Sequence, residues 1–314
     1  MLKQTLLKQF RSFYFKNPID DMENLIEYFS VFGGLDWTIN TSEPIEQLIK
    51  EHILHNFDSL SIKIDEIILK KRENRALLRA FAVGNREIFS AFNRAGLNNA
   101  NGGSALNYLQ EKGILQIEYS REEPARSLNP HGKLKREVAR HRISHKVLFC
   151  IPFVRFWFYF IYPHTKEIAV GKYDNFLREF KLQQYSYASL IFEELSEILL
   201  NYHLRDSQIL SSGSYWDANI EIDILTITAD EKIYVAECKW RNHQVTKVEW
   251  LKLLQKCEQL GIKPTQIILF SRSGFSKELA QNQGSELALY DAKDFIALLK
   301  NIKEEELIED QFFN

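Results

Sequence analysis

From Asp20 to about Lys71, apolar side chains recur three and four residues apart: Met22, Leu25, Ile26 and Phe29, then Ile45, Leu48, Ile49 and Ile53 after a break at Gly33-Gly34 and a restart at Ser42 and Pro44. That is the period of amphipathic helices. Three more helical stretches are expected at 73–83, 87–95 and 104–112, the last opening with Ser104 as N-cap behind Gly102-Gly103 and closing at Gly113. An alternating strand over 114–119 follows. Three short helices and a strand are the order of a winged helix, whose third helix enters a DNA major groove. Ser104, Asn107 and Tyr108 are the side chains that helix would offer to DNA, with Leu106 and Leu109 turned inward. Trihelical packing also serves protein–protein contact, so the pattern leaves both uses open.

The apolar stretch 147–162 has 16 residues, Arg155 and Pro152 among them, against the about 20 needed to cross a membrane. It reads as a buried helix, with Phe153, Phe156, Trp157 and Phe160 at helical spacing for packing rather than base stacking. Beyond Tyr185 the pattern becomes mixed. Helix is expected at 187–202, strands at 208–216, 219–228 and 232–240, helix at 245–260, strand at 266–271, a short helix from Phe275, strand at 287–290 and helix at 292–302. This is an α/β region with a central mixed sheet. If the second and third strands form a hairpin across Ala229-Asp230-Glu231 with Thr228 facing Lys232, then Asp223 faces Glu237, and Lys239 shares their side of the sheet.

Composition narrows the classes. A length of 314 residues suggests about two domains, and 45% hydrophobic content with only 7 Pro excludes disordered and collagen-like chains. Cys150, Cys238 and Cys257 form no CxxC pair, which argues against a disulfide scaffold or zinc ribbon and for a reducing compartment. The N-terminal stretch has no signal-peptide pattern, so the expected location is the cytoplasm, away from membranes. No GxxxxGK[ST] motif occurs, and ATP is not an expected ligand.

Net charge is −2 but unevenly spread: residues 1–185 carry 27 Lys+Arg against 21 Asp+Glu, and 186–314 carry 13 against 21. An excess of cations in the first part suits a polyanionic partner. The densest run is 121–146, with eight Lys/Arg and three Glu; Lys133, Lys135, Arg136, Arg140 and Arg142 are its candidate phosphate contacts. The plainer alternative is a solvated loop.

Facing carboxylates at Asp223 and Glu237 repel unless something neutralises them. A divalent cation such as Mg2+ or Mn2+ would, and with Lys239 beside it the trio suits phosphodiester hydrolysis. The plainer alternative is a structural ion pair.

Asp223, thirteen intervening residues, then Glu237-Cys238-Lys239 resembles the PD-(D/E)XK signature of restriction-endonuclease-like nucleases, with Ile222 where a proline is usual. In that fold the leading helix often supplies another acid to the metal. Glu193 matches that position first and Glu194 second. A more specific resemblance covers roughly 20–300. Gly33-Gly34, the run Tyr108 to Gly113, the aromatic run Phe153 to Pro163, Glu221-Ile-Asp-Ile, Glu237-Cys-Lys-Trp240 and the run Phe270 to Phe275 are together similar to the C-terminal half of archaeal-type ATPases. That half comprises a winged helix and a nuclease-like domain of unknown function. The chain lacks the family's nucleotide-binding core and has Ile151-Pro152 where the family has Asp-Pro.

The expected fold is therefore α+β and multidomain. It comprises a helical segment (1–72), a winged helix with basic arm (73–146), aromatic connecting helices (147–185), a restriction-endonuclease-like α/β domain (186–302) and an acidic tail (303–314). The expected function is a Mg2+- or Mn2+-dependent deoxyribonuclease with Asp223, Glu237 and Lys239 catalytic and Glu193, Asp223 and Glu237 holding the metal. The alternative is a non-enzymatic DNA-binding or assembly protein with an inactive nuclease-like domain. DNA is the expected partner, and a homodimer is left open.

Overall fold

The computed structural model describes residues 2–122, 143–300 and 302. Its N-terminal half is helical: α1 (Leu2–Lys16), α2 (Met22–Phe32), α3 (Ile45–Ile49, continued by a π-turn to Leu54), α4 (Phe57–Ile67), α5 (Arg72–Val83), α6 (Ile88–Arg94) and α7 (Asn99–Glu111). The apolar period explains α2, whose Leu25, Ile26 and Phe29 have no exposed surface.

Helix α7 begins earlier than expected. Its N-cap is Asn98, whose side chain accepts the Asn101 N–H, so Ser104 is an interior residue and Gly102-Gly103 lie within the helix. The reason is packing: a Cβ on Gly102 would stand 2.7 Å from the Phe92 ring, so the glycine lets α7 close on α6. Gly113 does terminate the segment, at φ +66°. β1 (Leu115–Glu118) then pairs antiparallel with β2 (Lys146–Phe149).

β2 corrects the reading of 147–162 as one helix. Helix α8 starts only at Pro152 and spans Pro152–Phe156, followed by a π-turn (Trp157–Ile161). Proline fits the first turn of a helix, where its missing N–H costs nothing, so it starts the helix here. Phe153, Phe156, Trp157 and Phe160 are all buried, as their spacing implied.

After α9 (Thr165–Ile168), α10 runs unbroken over Asp174–His203. The expected start at Tyr187 is therefore late. Phe176 and Phe180, one turn apart, pack edge-on against Phe156, and this contact holds the polar first half of α10 in helix. Position 185 thus lies mid-helix.

The remaining elements are β3 (Ile209–Ser211), β4 (Tyr215–Trp216), β5 (Glu221–Ile222), β6 (Ile224–Thr228), β7 (Ile233–Lys239), α11 (Lys247–Gln259), β8 (Gln266–Ser271), α12 (Lys277–Ala280), β9 (Leu287–Asp291) and a 3-10 helix (Ala292–Leu299). Two expected strands are each split. Gly213, at φ +148°, separates β3 from β4, and a bend at Asp223 separates β5 from β6. The five-stranded sheet runs β3-β6-β7-β8-β9, antiparallel through β7 and parallel beyond it. Alternation sorts its two faces. Ile224, Ala236, Cys238, Ile268 and Phe270 join the large core with α10 and the N-terminal helices. Leu225, Val235, Ile267 and Leu269 join a second core with Leu253, Cys257 and Leu279. The molecule is thus mixed α/β, with a helical N-terminal region and a C-terminal mixed sheet.

Candidate functional site

The expected hairpin register holds: Ile224 pairs with Ala236, Leu225 with Val235, Thr226 with Tyr234 and Ile227 with Ile233. One step further, Asp223 leaves the ladder. Its Oδ2 accepts the Cys238 N–H at 2.7 Å, so the carboxylate caps the end of β7 instead of standing opposite Glu237. Directly opposed like charges destabilise a strand pair, and the bend relieves that juxtaposition.

Glu237 and Lys239 alternate onto the side of the sheet covered by α11. Lys239 Nζ donates to Glu237 Oε1 at 2.5 Å, and Lys256 Nζ, from α11, donates to Oε2 at 2.8 Å. Lys256 is a participant whose role sequence spacing did not reveal. It stands 19 residues from Glu237, and only the packing of α11 on the sheet brings them together.

Charges are unequal across the site. Burial raises the Asp223 pKa to about 8, with the Glu237 and Glu193 carboxylates pushing the same way. Burial also raises Glu193, opposed chiefly by Arg86. For Glu237, burial is outweighed by Lys239 and Lys256, and its pKa falls. Burial would lower Lys239, but Glu237 and Asp223 prevail and hold it above its usual value.

Asp223 and Glu193 meet at a cavity of about 30 Å³ that is also lined by Glu118, Glu194, Glu197 and Arg86. Such a space holds about one water or ion. Among the described residues, no three His, Cys, Asp or Glu side chains already form a metal-holding group. The donor chemistry nonetheless fits a hard divalent cation. Asp223, Glu193 and Glu237 supply only carboxylate oxygens, and two of them carry pKa values raised by burial and by neighbouring carboxylates: Glu237 and Glu193 act on Asp223, and Glu221 and Glu194 on Glu193.

The β1–β2 pair closes over this region. Arg121 donates to the carbonyls of Leu225 at 2.9 Å and of Ser214 at 3.0 Å and also bonds that of Gly213; Glu118 Oε1 accepts the Ser214 hydroxyl at 2.6 Å. Lys146, 4% exposed, bonds Glu221 Oε1 at 2.5 Å and lies over the Trp216 ring. Two of the eight cations in the basic run are thereby committed to internal contacts. Lys133, Lys135, Arg136, Arg140 and Arg142 lie outside the described residues.

On α7, Ser104 and Asn107 are exposed. Tyr108 is partly buried, and its hydroxyl donates to the Ile67 carbonyl at 2.8 Å, which ties it to α4.

Residues 157–252 match the model of DUF234, a family described as archaea bacterial proteins of unknown function. Glu193, Asp223, Glu237 and Lys239 all fall within the DUF234 match; Arg86 and Lys256 fall outside it. No curated protein matches the chain. Among solved structures, a protein of Vibrio cholerae, VC1899, aligns over 76% of this chain and 55% of its own, at 13% identity and a TM-score of 0.29. The chain thus spans about half the length of that protein. Among the described residues no helix is long and apolar enough to cross a membrane, and Cys150, Cys238 and Cys257 are unpaired.

Proposed function

We propose that the protein is a divalent-metal-dependent nuclease acting on DNA in the cytoplasm. In this reading residues 186–302 are a restriction-endonuclease-like domain, and α5–α7 with β1–β2 act as a winged helix, in the manner of the C-terminal half of archaeal-type ATPases. The observation that carries the reading is the end of the β6–β7 hairpin. There Asp223 sits on the Cys238 N–H, next to the Glu237–Lys239 pair, with Glu193 of α10 close enough to raise its pKa.

Asp223, Glu237 and Glu193 would hold Mg2+ or Mn2+, which when bound polarises a phosphate oxygen and lowers the pKa of an attacking water. The chain's own groups do the rest. Lys239, held protonated by its two acidic neighbours, serves to offset charge building on the phosphoryl oxygens rather than to take a proton. Asp223, its pKa raised to about 8, carries its proton at neutral pH and would have to release it to hold the cation. DNA would be held by Ser104, Asn107 and Tyr108 of α7 and by Lys133, Lys135, Arg136, Arg140 and Arg142.

The test is cleavage of linear, circular and single-stranded DNA with Mg2+ or Mn2+. Asp223→Ala, Glu237→Ala and Lys239→Ala are each expected to lose on the order of 10²-fold or more while remaining folded. Wild-type protein that cleaves nothing, or variants that cleave equally well, would refute the enzyme. The close fit of β1–β2 over Ser214 and Glu221 favours a second reading, a DNA-binding or assembly protein whose nuclease-like domain is a packing module. Salt-dependent duplex binding without cleavage is the outcome that selects it.

A further inference from the structure

Arg86 lies in the turn between α5 and α6, over a hundred positions from Asp223, and it combines three features. Its backbone is left-handed, at φ +66°, a conformation that a non-glycine residue keeps only when its surroundings enforce it. They do: the Arg86 carbonyl accepts the Val147 N–H at 3.0 Å, and Ile88 N donates to the His145 carbonyl, so β2 and the residue before it grip the turn on both sides of Glu87, directly after Arg86. Second, the side chain is 14% exposed, and its Nη1, enclosed and out of reach of solvent, has no hydrogen-bond partner among the described residues. The carboxylate paired with it, Glu118 Oε2, is 3.9 Å away, beyond hydrogen-bond reach. Third, Arg86 lines two cavities. One is the space of about 30 Å³ with Asp223 and Glu193. The other, of about 300 Å³, extends from Glu193 past Lys146 and Arg155 to Glu221, whose side chain is 61% exposed and marks its opening to solvent.

A guanidinium with an enclosed Nη1 left unpaired, fixed by an enforced backbone in the lining of both an open cleft and a carboxylate cluster, is placed to meet an anion that enters the cleft. The other cations of the cleft are already engaged: Lys146 with Glu221, and Arg155 with the Tyr187 carbonyl and ring. We infer that Arg86 is the phosphate-binding residue of the Asp223 site, donating from the helical region across the cleft to a non-bridging oxygen of a phosphodiester. The cleft is of nucleotide size, so the group it admits is a single strand or a strand end rather than an intact duplex. This rests on the nuclease reading for the identity of the phosphodiester.

A phosphorothioate-linked dinucleotide is the probe, because it resists hydrolysis and offers the cleft a single internucleotide phosphate analogue. Its binding to the full chain is followed by fluorescence anisotropy in Mn2+, and Mn2+ binding without dinucleotide is measured separately. Arg86→Ala should weaken dinucleotide binding at least tenfold and Arg86→Lys less, since lysine keeps the charge but not the fork. Mn2+ affinity and Tm of Arg86→Ala should stay near the parent's, or the Mn2+ affinity should rise as a competing cation is removed. Unchanged dinucleotide affinity in Arg86→Ala overturns the assignment, as does a wild type that fails to bind the probe. A joint loss of dinucleotide, Mn2+ and Tm shows Arg86 to be structural and also overturns it. Arg86-dependent binding by a wild type that cleaves no DNA leaves the assignment standing and removes the nuclease. Cleavage and probe binding that survive in Arg86→Ala do the reverse.

Discussion

A carboxyl group that titrates near 8 in the folded chain and near 3.8 in the unfolded one, as Asp223 does, binds a proton in the native state that the unfolded state has lost. The stability associated with neutral Asp223 is present below pH 4 and drains away as pH rises to 8. Asp223→Asn should therefore raise Tm at pH 8 by at least ~4 °C and change it little at pH 4, while removing metal uptake, as scanning fluorimetry from pH 4 to 9 would show. A site variant that stabilises as it inactivates is the signature of a functional residue kept at a cost. Glu237 behaves oppositely, because its lowered pKa makes the lysine-paired carboxylate a stabiliser that is lost on acidification. Lys256 occupies an oxygen that a metal would need. Lys256→Ala should tighten Mn2+ binding several-fold, read by calorimetric titration at pH 7.5, whereas Lys239→Ala should leave cleavage abolished.

Among elements, α7 shows how two adjacent glycines differ. A Cβ on Gly102 collides with the Phe92 ring, whereas one on Gly103 meets nothing within 4 Å. Gly102→Ala is expected to cost about 1–3 kcal/mol by forcing α6 and α7 apart. Gly103→Ala, inside the same helix, should stabilise by roughly 0.5–1 kcal/mol through helix propensity. Urea unfolding of the two variants measures both signs. The β4–β5 hairpin depends on tertiary contacts in a different way. It has only two residues per strand and is held by Arg121, Glu118 and Lys146. Arg121→Ala should speed amide hydrogen exchange across 213–225 more than elsewhere, because three carbonyls lose a shared donor.

At the scale of the whole molecule, the sheet and the helical region share one core, so they are not separable at the charge boundary. A cut at Tyr185 severs α10 between Phe180 and Tyr187, both packed on Phe156. Fragments 1–185 and 186–314 should each show lost or non-cooperative thermal unfolding by circular dichroism, so DNA-binding comparisons belong in the full chain. There, replacing Lys133, Lys135, Arg136, Arg140 and Arg142 with Ala should flatten the salt dependence of duplex affinity by about 0.9 in log–log slope for each lost phosphate contact. Arg272 makes a second bond between the regions: from the loop after β8 it reaches Glu23 at 2.7 Å and Glu27 at 3.3 Å on α2.

Several features follow from the chain's local pattern. Period-2 alternation sets the two faces of β6, β7 and β8, and a short turn with matched apolar runs sets the β6–β7 register. The same register brings Asp223, Glu237 and Lys239 to one end of the hairpin. These are effects of neighbouring residues, decided by backbone sterics and hydrogen bonds over a few positions. The bend that takes Asp223 out of the ladder, the early start of α10, the interior placement of Gly102-Gly103 and the arrival of Lys256 and Arg86 at the carboxylates all depend on partners far away in sequence. Periodicity cannot show them, because a lysine on one helix or an arginine in one turn looks like any solvated cation until the packing of α11 and the grip of β2 determine what it faces.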